Sequence, residues 1–179
     1  MGPGRTYATA IESTPQTRSS AASAAGRSFA QSLGPLDWMW PILKDLMEGH
    51  ASVYRATNGL VGHYFPGAPP VLLLDHVGAR SGQRRTTPLV YLRDGADFVI
   101  VASKGGYPRN PAWFHNLRAN PDVTIQVGPL HRAVRARVAT PQERARLWPR
   151  VVGIYRGYAY YQQRTEREIP LVILEPRAP

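Results

Sequence analysis

The residues best suited to chemistry fall into a few short stretches. One is Gly78-Ala79-Arg80-Ser81-Gly82-Gln83-Arg84-Arg85-Thr86, a glycine-flanked basic turn. Arg80, Arg84 and Arg85 are able to grip a phosphate or carboxylate through paired N–H groups, with Ser81 and backbone amides as neutral donors. A solvated hairpin carrying ordinary surface charge fits that stretch equally well. A second is Ala102-Ser103-Lys104-Gly105-Gly106, followed by Asn110-Pro111-Ala112-Trp113-Phe114-His115-Asn116. Its glycine pair lets backbone approach a ligand closely, and Lys104 adds a point charge. Trp113 offers a face for a planar ring, although core packing is the commoner use of such a residue. The third is Tyr155, Tyr158 and Tyr161, three residues apart and so on one face of a helical turn, with Tyr160 beside them. Phenols titrate at about 10 and donate a hydrogen bond or a proton at neutral pH, on rings that stack against planar substrates. Packing at a barrel mouth is the plainer use of any one of them.

Other chemistries lack their residues. The chain has no cysteine, which removes disulfides, thiolate metal sites and cysteine nucleophiles. His50, His63, His76, His115 and His131 are scattered without metal-ligand spacing. No GxSxG elbow, Walker loop, GxGxxG fingerprint or close acid pair occurs. A basic turn and planar platforms without a nucleophile fit chemistry carried by a bound cofactor.

The elements that must hold these residues are short strands. Val71–Val77, 85–93 and 98–102 alternate with turns at 78–84 and Asp94-Gly95. Asn110-Pro111 opens a short helix and Asn120-Pro121 closes it. Strands over 123–127 and 133–138 flank a Gly128-Pro129 turn, and 171–174 is a last strand. Thr140-Pro141-Gln142-Glu143 reads as the capped start of a helix running toward Tyr155. An earlier helix begins at Asp37 and stops at Asn58-Gly59. The pattern predicts a mainly β (α+β) fold, a small barrel with helices. Residues 1–34 read as a flexible arm and 35–179 as the folded domain. The arm has no apolar stretch of a secretory signal, so a cytoplasmic setting is expected. Trp38 and Trp40 suit either core packing or peripheral membrane contact.

A net charge of +10 in 179 residues is carried almost wholly by arginine. The excess lies between His76 and Arg150, where only Asp94, Asp97, Asp122 and Glu143 oppose it. Such a surplus suits a polyanionic partner. Nucleic acid is not expected, because no nucleic-acid motif accompanies the charge.

Taken together these stretches resemble the deazaflavin (coenzyme F-420)-dependent nitroreductase family, the Ddn type of actinobacteria. The matching segments are Gly78 to Leu89, Val101 to Gly106, Asn110 to Pro121, Glu143-Arg144-Ala145, Trp148-Pro149, the tyrosines and Arg167-Glu168-Ile169-Pro170. The resemblance spans roughly 53–176 and implies a split β-barrel similar to flavin-reductase and pyridoxamine-phosphate-oxidase barrels. It implies coenzyme F-420, a deazaflavin with a phosphate and polyglutamate tail, with FMN as the less favoured alternative. Arg80, Arg85 and Lys104 would then hold the phosphate and tail, with Ser81 and Gln83 nearby. Backbone at Pro88, Ala102 and Ser103 would line the ring, and Trp113 and Asn116 would shape the pocket. The resemblance further implies hydride transfer to a small electron-poor acceptor such as a quinone, enone or nitroaromatic, with Tyr155, Tyr158 and Tyr161 on the substrate side. A non-catalytic coenzyme-binding protein is the remaining alternative, and a homodimer is compatible with the fold. One departure stands out. The family turn often reads Gly-Arg-Lys-Ser-Gly, and this chain has one cation there, with Arg84 offering replacement charge from another position.

Overall fold

The computed structural model describes residues 49–64 and 68–177. The expected arm over 1–34, the Asp37 cap and the Trp38/Trp40 segment lie outside the described residues. The first described element is helical over 49–56 (α1). Strands β1 (Val71–Val77), β2 (Arg84–Asp94) and β3 (Asp97–Val101) follow, then α2 (Ala112–Ala119). After it come β4 (Asp122–Val127), β5 (Leu130–Val138), α3 (Pro141–Ile154), α4 (Gly157–Gln163) and β6 (Leu171–Pro176). The strands close into an antiparallel barrel in the order β1-β2-β3-β6-β5-β4.

Alternation explains which side chains fill it. Leu72 and Leu74 of β1, Phe98 and Ile100 of β3, Ile125 of β4 and Leu174 of β6 point inward and are fully buried. Each such side chain contributes about 1.5–3 kcal/mol when taken from water. The opposite faces are covered too. Leu73 packs outward against Ala51 and Tyr54 of α1, while Val99, Val101 and Ile173 pack against Leu147 and Val151 of α3. β1 is therefore a continuous apolar run because both of its faces are buried.

Strand β2 changes partner along its length. Arg84 to Val90 pair with β1, and Tyr91 to Asp94 pair with β3. On its β3 side the first half of β2 has no strand beside it. β3 ends at Val101, yet Ala102 N–H still donates to the Pro170 carbonyl at the approach to β6, 2.9 Å away. The barrel is thus split between the first half of β2 and the turn after β3. Pro88 lies in the unflanked half, where a strand tolerates a residue that cannot donate a backbone hydrogen bond.

Sequence capping signals act as read. The Thr140 hydroxyl accepts from Glu143 N–H at 3.3 Å, and the Glu143 carboxylate accepts from Thr140 N–H at 2.8 Å. The tyrosine segment differs from expectation. α3 stops at Ile154, Tyr155 takes extended backbone, and a separate helix α4 carries Tyr158 and Tyr161. The break is local. A Cβ on Gly157 would sit 2.4 Å from the Tyr155 ring, so only glycine lets that ring fold back there.

The Asn58-Gly59 stop is seen as a left-handed turn, with φ of 48° and 78°. A Cβ on Gly59 would come within 2.4 Å of Gly128 Cα, so two glycines meet where α1 ends on the β4–β5 turn. Tyr54 pins the same contact, accepting from Gly128 N–H at 2.8 Å and donating to the Val71 carbonyl at 3.0 Å. Replacing Tyr54 by Phe strands the buried Gly128 N–H. It should lower unfolding stability by about 1–3 kcal/mol, read from urea denaturation.

Candidate functional site

The site gathers around the split in the barrel. On one side is the β1–β2 turn, closed by Gly82 N–H on the Gly78 carbonyl at 2.8 Å and Gly78 N–H on the Gln83 carbonyl at 2.9 Å. Gly82 takes the left-handed φ of 65° that such a turn requires. Arg80, Ser81, Gln83, Arg84 and Arg85 are all exposed there. Ser81 folds back over Gly78, where a Cβ would meet its Oγ at 2.5 Å. Arg85 donates to Gln83 Oε1 at 3.4 Å.

The charge of this turn is not matched within the chain. Arg55, Arg135, Arg137, Arg144, Arg146, Arg150 and Arg177 each have a carboxylate partner. Arg146 and Arg150 together hold Asp94 well below the usual carboxylate range, at about 2. Among the described residues Arg80, Arg84, Arg85 and Lys104 have no ion-pair partner. Among the same residues Arg93, Arg109, Arg118, Arg132, Arg156, Arg164 and Arg167 also lack a carboxylate partner, so seven arginines are matched within the chain while the cations flanking the split stay open to an anion from outside.

On the other side of the split, the chain leaves β3 through Ala102, Ser103 and Lys104 into a turn of successive left-handed residues. Lys104, Gly105 and Gly106 have φ of 46°, 64° and 82°. A lysine in this region costs about 1–2 kcal/mol relative to ordinary backbone and persists only where its surroundings fix it. The turn is pressed against α4, since a Cβ on Gly106 would lie 2.6 Å from the Tyr161 carbonyl oxygen. That contact brings the tyrosines to the lysine turn. Tyr155 and Tyr158 rings meet edge to face at 5.1 Å, and the Tyr155 and Tyr161 hydroxyls share a hydrogen bond at 3.1 Å. Burial first, then the neighbouring phenols, pushes the Tyr158 hydroxyl far above its ordinary value. Burial and the bond to Tyr155 push Tyr161 up as well. Both phenols stay protonated across the neutral range and so remain donors.

Trp113 and Asn116 stand on α2 facing inward. Trp113 is 7 % exposed and belongs to the barrel core, so it supports the site from beneath. Asn116 is equally buried and fully engaged. Its Oδ1 accepts from Ala79 N–H at 2.9 Å, which ties the arginine turn to α2. Its Nδ2 then faces His76 Nδ1 at 3.0 Å, leaving that nitrogen as the acceptor. His76 Nε2–H is directed at Thr87 Oγ1, 3.0 Å away.

Sequence reasoning gave no role to His76 or Arg167. His76 had a readable signal, as it shares the inward parity of Leu72 and Leu74 on β1. Arg167 had only its place in a matching segment. Its guanidinium donates to the carbonyls of Tyr107 (2.8 Å), Ala102 (3.1 Å) and Ser103 (2.8 Å) and to Asn110 Oδ1 (2.7 Å). Partial burial lowers its pKa from the ordinary arginine value.

A split antiparallel barrel with unneutralised cations on both sides of the opening and buried phenols beside it defines a class: an oxidoreductase that works through a bound planar, anionic coenzyme. The chain belongs to the F420H(2)-dependent quinone reductase family, whose sequence profile matches residues 46–176. A protein of Mycobacterium tuberculosis named as an F420H(2)-dependent quinone reductase is 52 % identical over 135 residues, covering 74 % of this chain and 91 % of the relative. A solved F420-H2 dependent reductase matches with a TM-score of 0.56 and 39 % identity, over 59 % of this chain and 94 % of that one. A solved domain-swapped dimer matches with a TM-score of 0.57 and 34 % identity, over 79 % and 99 %. No helix among the described residues is long and apolar enough to cross a membrane.

Burial first, and the Arg85 charge second, push the His76 imidazole below its ordinary 6.5, while Asp75 pulls weakly upward. The native state therefore holds neutral His76. The stability this gives is complete above the unfolded-state value of about 6.5 and is lost as pH falls below it, toward the lower folded-state value. Thermal melts should show Tm declining from about pH 7 to about pH 5, and His76→Gln should flatten part of that decline.

Proposed function

We propose that the chain is an F-420-dependent reductase that holds the coenzyme across the split in the barrel and reduces a quinone. The observation that carries this reading is the set of cations at the split without carboxylate partners, which fits a coenzyme bearing a phosphate and a polyglutamate tail. Arg80 and Arg85 from one side and Lys104 from the other would take that anionic part, with Ser81 and Gln83 as neutral donors. The unflanked half of β2 at Pro88 and the backbone of Ala102 and Ser103 would line the planar ring. Bound there, the reduced deazaflavin supplies a hydride.

The protein's part is placement and charge control. Tyr158, protonated and buried beside Tyr155, donates a hydrogen bond to the oxygen on which charge develops in the acceptor. Tyr155 and Tyr161, bonded to each other, shape the acceptor's side. A shorter anion such as the single phosphate of FMN leaves more of this positive charge unmatched.

The first test is fluorescence titration of the full chain with F-420 and, separately, with FMN at fixed salt. Preferred binding of F-420, weakened about tenfold or more by Lys104→Met or Arg80→Met, is expected from the loss of a charge-assisted contact. Preference for FMN would overturn the coenzyme assignment. The second test is steady-state oxidation of the reduced coenzyme by a soluble quinone. Tyr158→Phe should lower kcat by about tenfold or more with coenzyme affinity unchanged, the pattern of a donor used only in the transition state.

A further inference from the structure

Lys104 is the strained residue of the site. Its own turn holds it through Gly106 N–H on the Ser103 carbonyl (3.0 Å), Tyr107 N–H on the Lys104 carbonyl (3.2 Å) and its ammonium 5.4 Å over the Tyr107 ring. A further device holds the turn from outside. Gly105 and Gly106 adopt positive φ without cost, but a lysine does not. The turn is bracketed by the peptides of Ser103 and Tyr107. Arg167 takes the carbonyl oxygens of both, at 2.8 Å each, together with that of Ala102. Asn110 Oδ1 completes the set at 2.7 Å, just ahead of α2. Among the described residues this guanidinium has no carboxylate partner. Its charge is spent on the carbonyl oxygens of the segment that carries Lys104.

Arg167 is itself held from behind. The Gln162 amide donates to the Arg167 carbonyl at 2.8 Å, and its Oε1 accepts from Ile169 N–H at 2.9 Å. Only a planar fork with several fixed donors reaches acceptors in this arrangement; an ammonium group does not.

We infer that Arg167 is a positioning residue for the coenzyme's phosphate: it fixes the 102–110 segment so that Lys104 is presented at the split. Arg167 acts through Lys104. This inference rests on the reading of the site given above and adds to it the device that builds one side. It also gives a role to the Arg167-Glu168-Ile169-Pro170 segment, which coenzyme contact alone left unused.

The test compares two ligands on the full chain: F-420 and the deazaflavin riboside lacking phosphate and tail. Arg167→Met should weaken F-420 by about tenfold, the scale of one lost contact to a charged group. It should weaken the riboside clearly less, because the riboside loses only the support Arg167 gives to the Ala102 and Ser103 backbone beside the ring. In a cycle with Lys104→Met, the double variant should lose clearly less than the sum of the two single losses, because residues acting through one another are not additive. A folded Arg167→Met that binds F-420 normally, loses both ligands equally, or adds its full loss to that of Lys104→Met overturns the inference. Should Arg167→Met fail to fold, Asn110→Ala removes one bond of the set and should give a smaller loss with the same ligand preference. An equal loss for both ligands there, or none, overturns it as well. If Lys104→Met leaves F-420 affinity unchanged, the reading of the site fails first; if it weakens binding and the Arg167 variant does not, only this inference falls.

Discussion

Strand β2 is asked to satisfy two neighbours in turn, and the opening in this barrel follows from that. Its first half is hydrogen-bonded to β1 and its second half to β3, with the change between Val90 and Tyr91. A barrel ordinarily leaves no free strand edge. Here one edge of β2 is left open over half its length, and β3 stops where that edge begins. The open edge is usable because other interactions keep the two sides apart and rigid. The buried Asn116 ties the arginine turn to α2, and Arg167 ties the lysine turn to the segment before α2.

The same division of labour appears in the charges. Seven of the described arginines are matched to carboxylates, some of them in networks such as Arg137 with Glu143 and Glu175. Those pairs are half-exposed and each is worth little to stability. Their consequence is electrostatic. They neutralise part of the positive surface, while Arg80, Arg84, Arg85 and Lys104 around the split keep their charge for an anion from outside.

The tyrosines show how a local break serves a site. Had α3 continued through Tyr161, the three phenols would have lined one stripe of a single helix. Instead the chain turns at Tyr155, and Gly157 gives the Tyr155 ring the space to lie against Tyr158. Tyr158 is thereby enclosed between its neighbours and the outer face of the barrel, while Tyr160 stays exposed beside Arg164. Four neighbouring residues of one type take different environments, decided by a glycine.

The sequence alone determined the order of the strands and, to within about three residues, their spans, together with the Thr140 capping box and the basic turn, because alternation, turn residues and capping are local properties of the chain. It also determined the family, since the matching segments keep their order and spacing over most of the described length. Tertiary structure alone decided which cations are free, because ion pairing joins residues such as Arg150 and Asp94 that are remote in sequence. It alone buried Asn116 and Trp113 in the interior, and it alone brought Arg167 to a turn some sixty residues earlier. Periodicity reports which face of an element is buried; it carries no record of which distant carbonyl a guanidinium will reach.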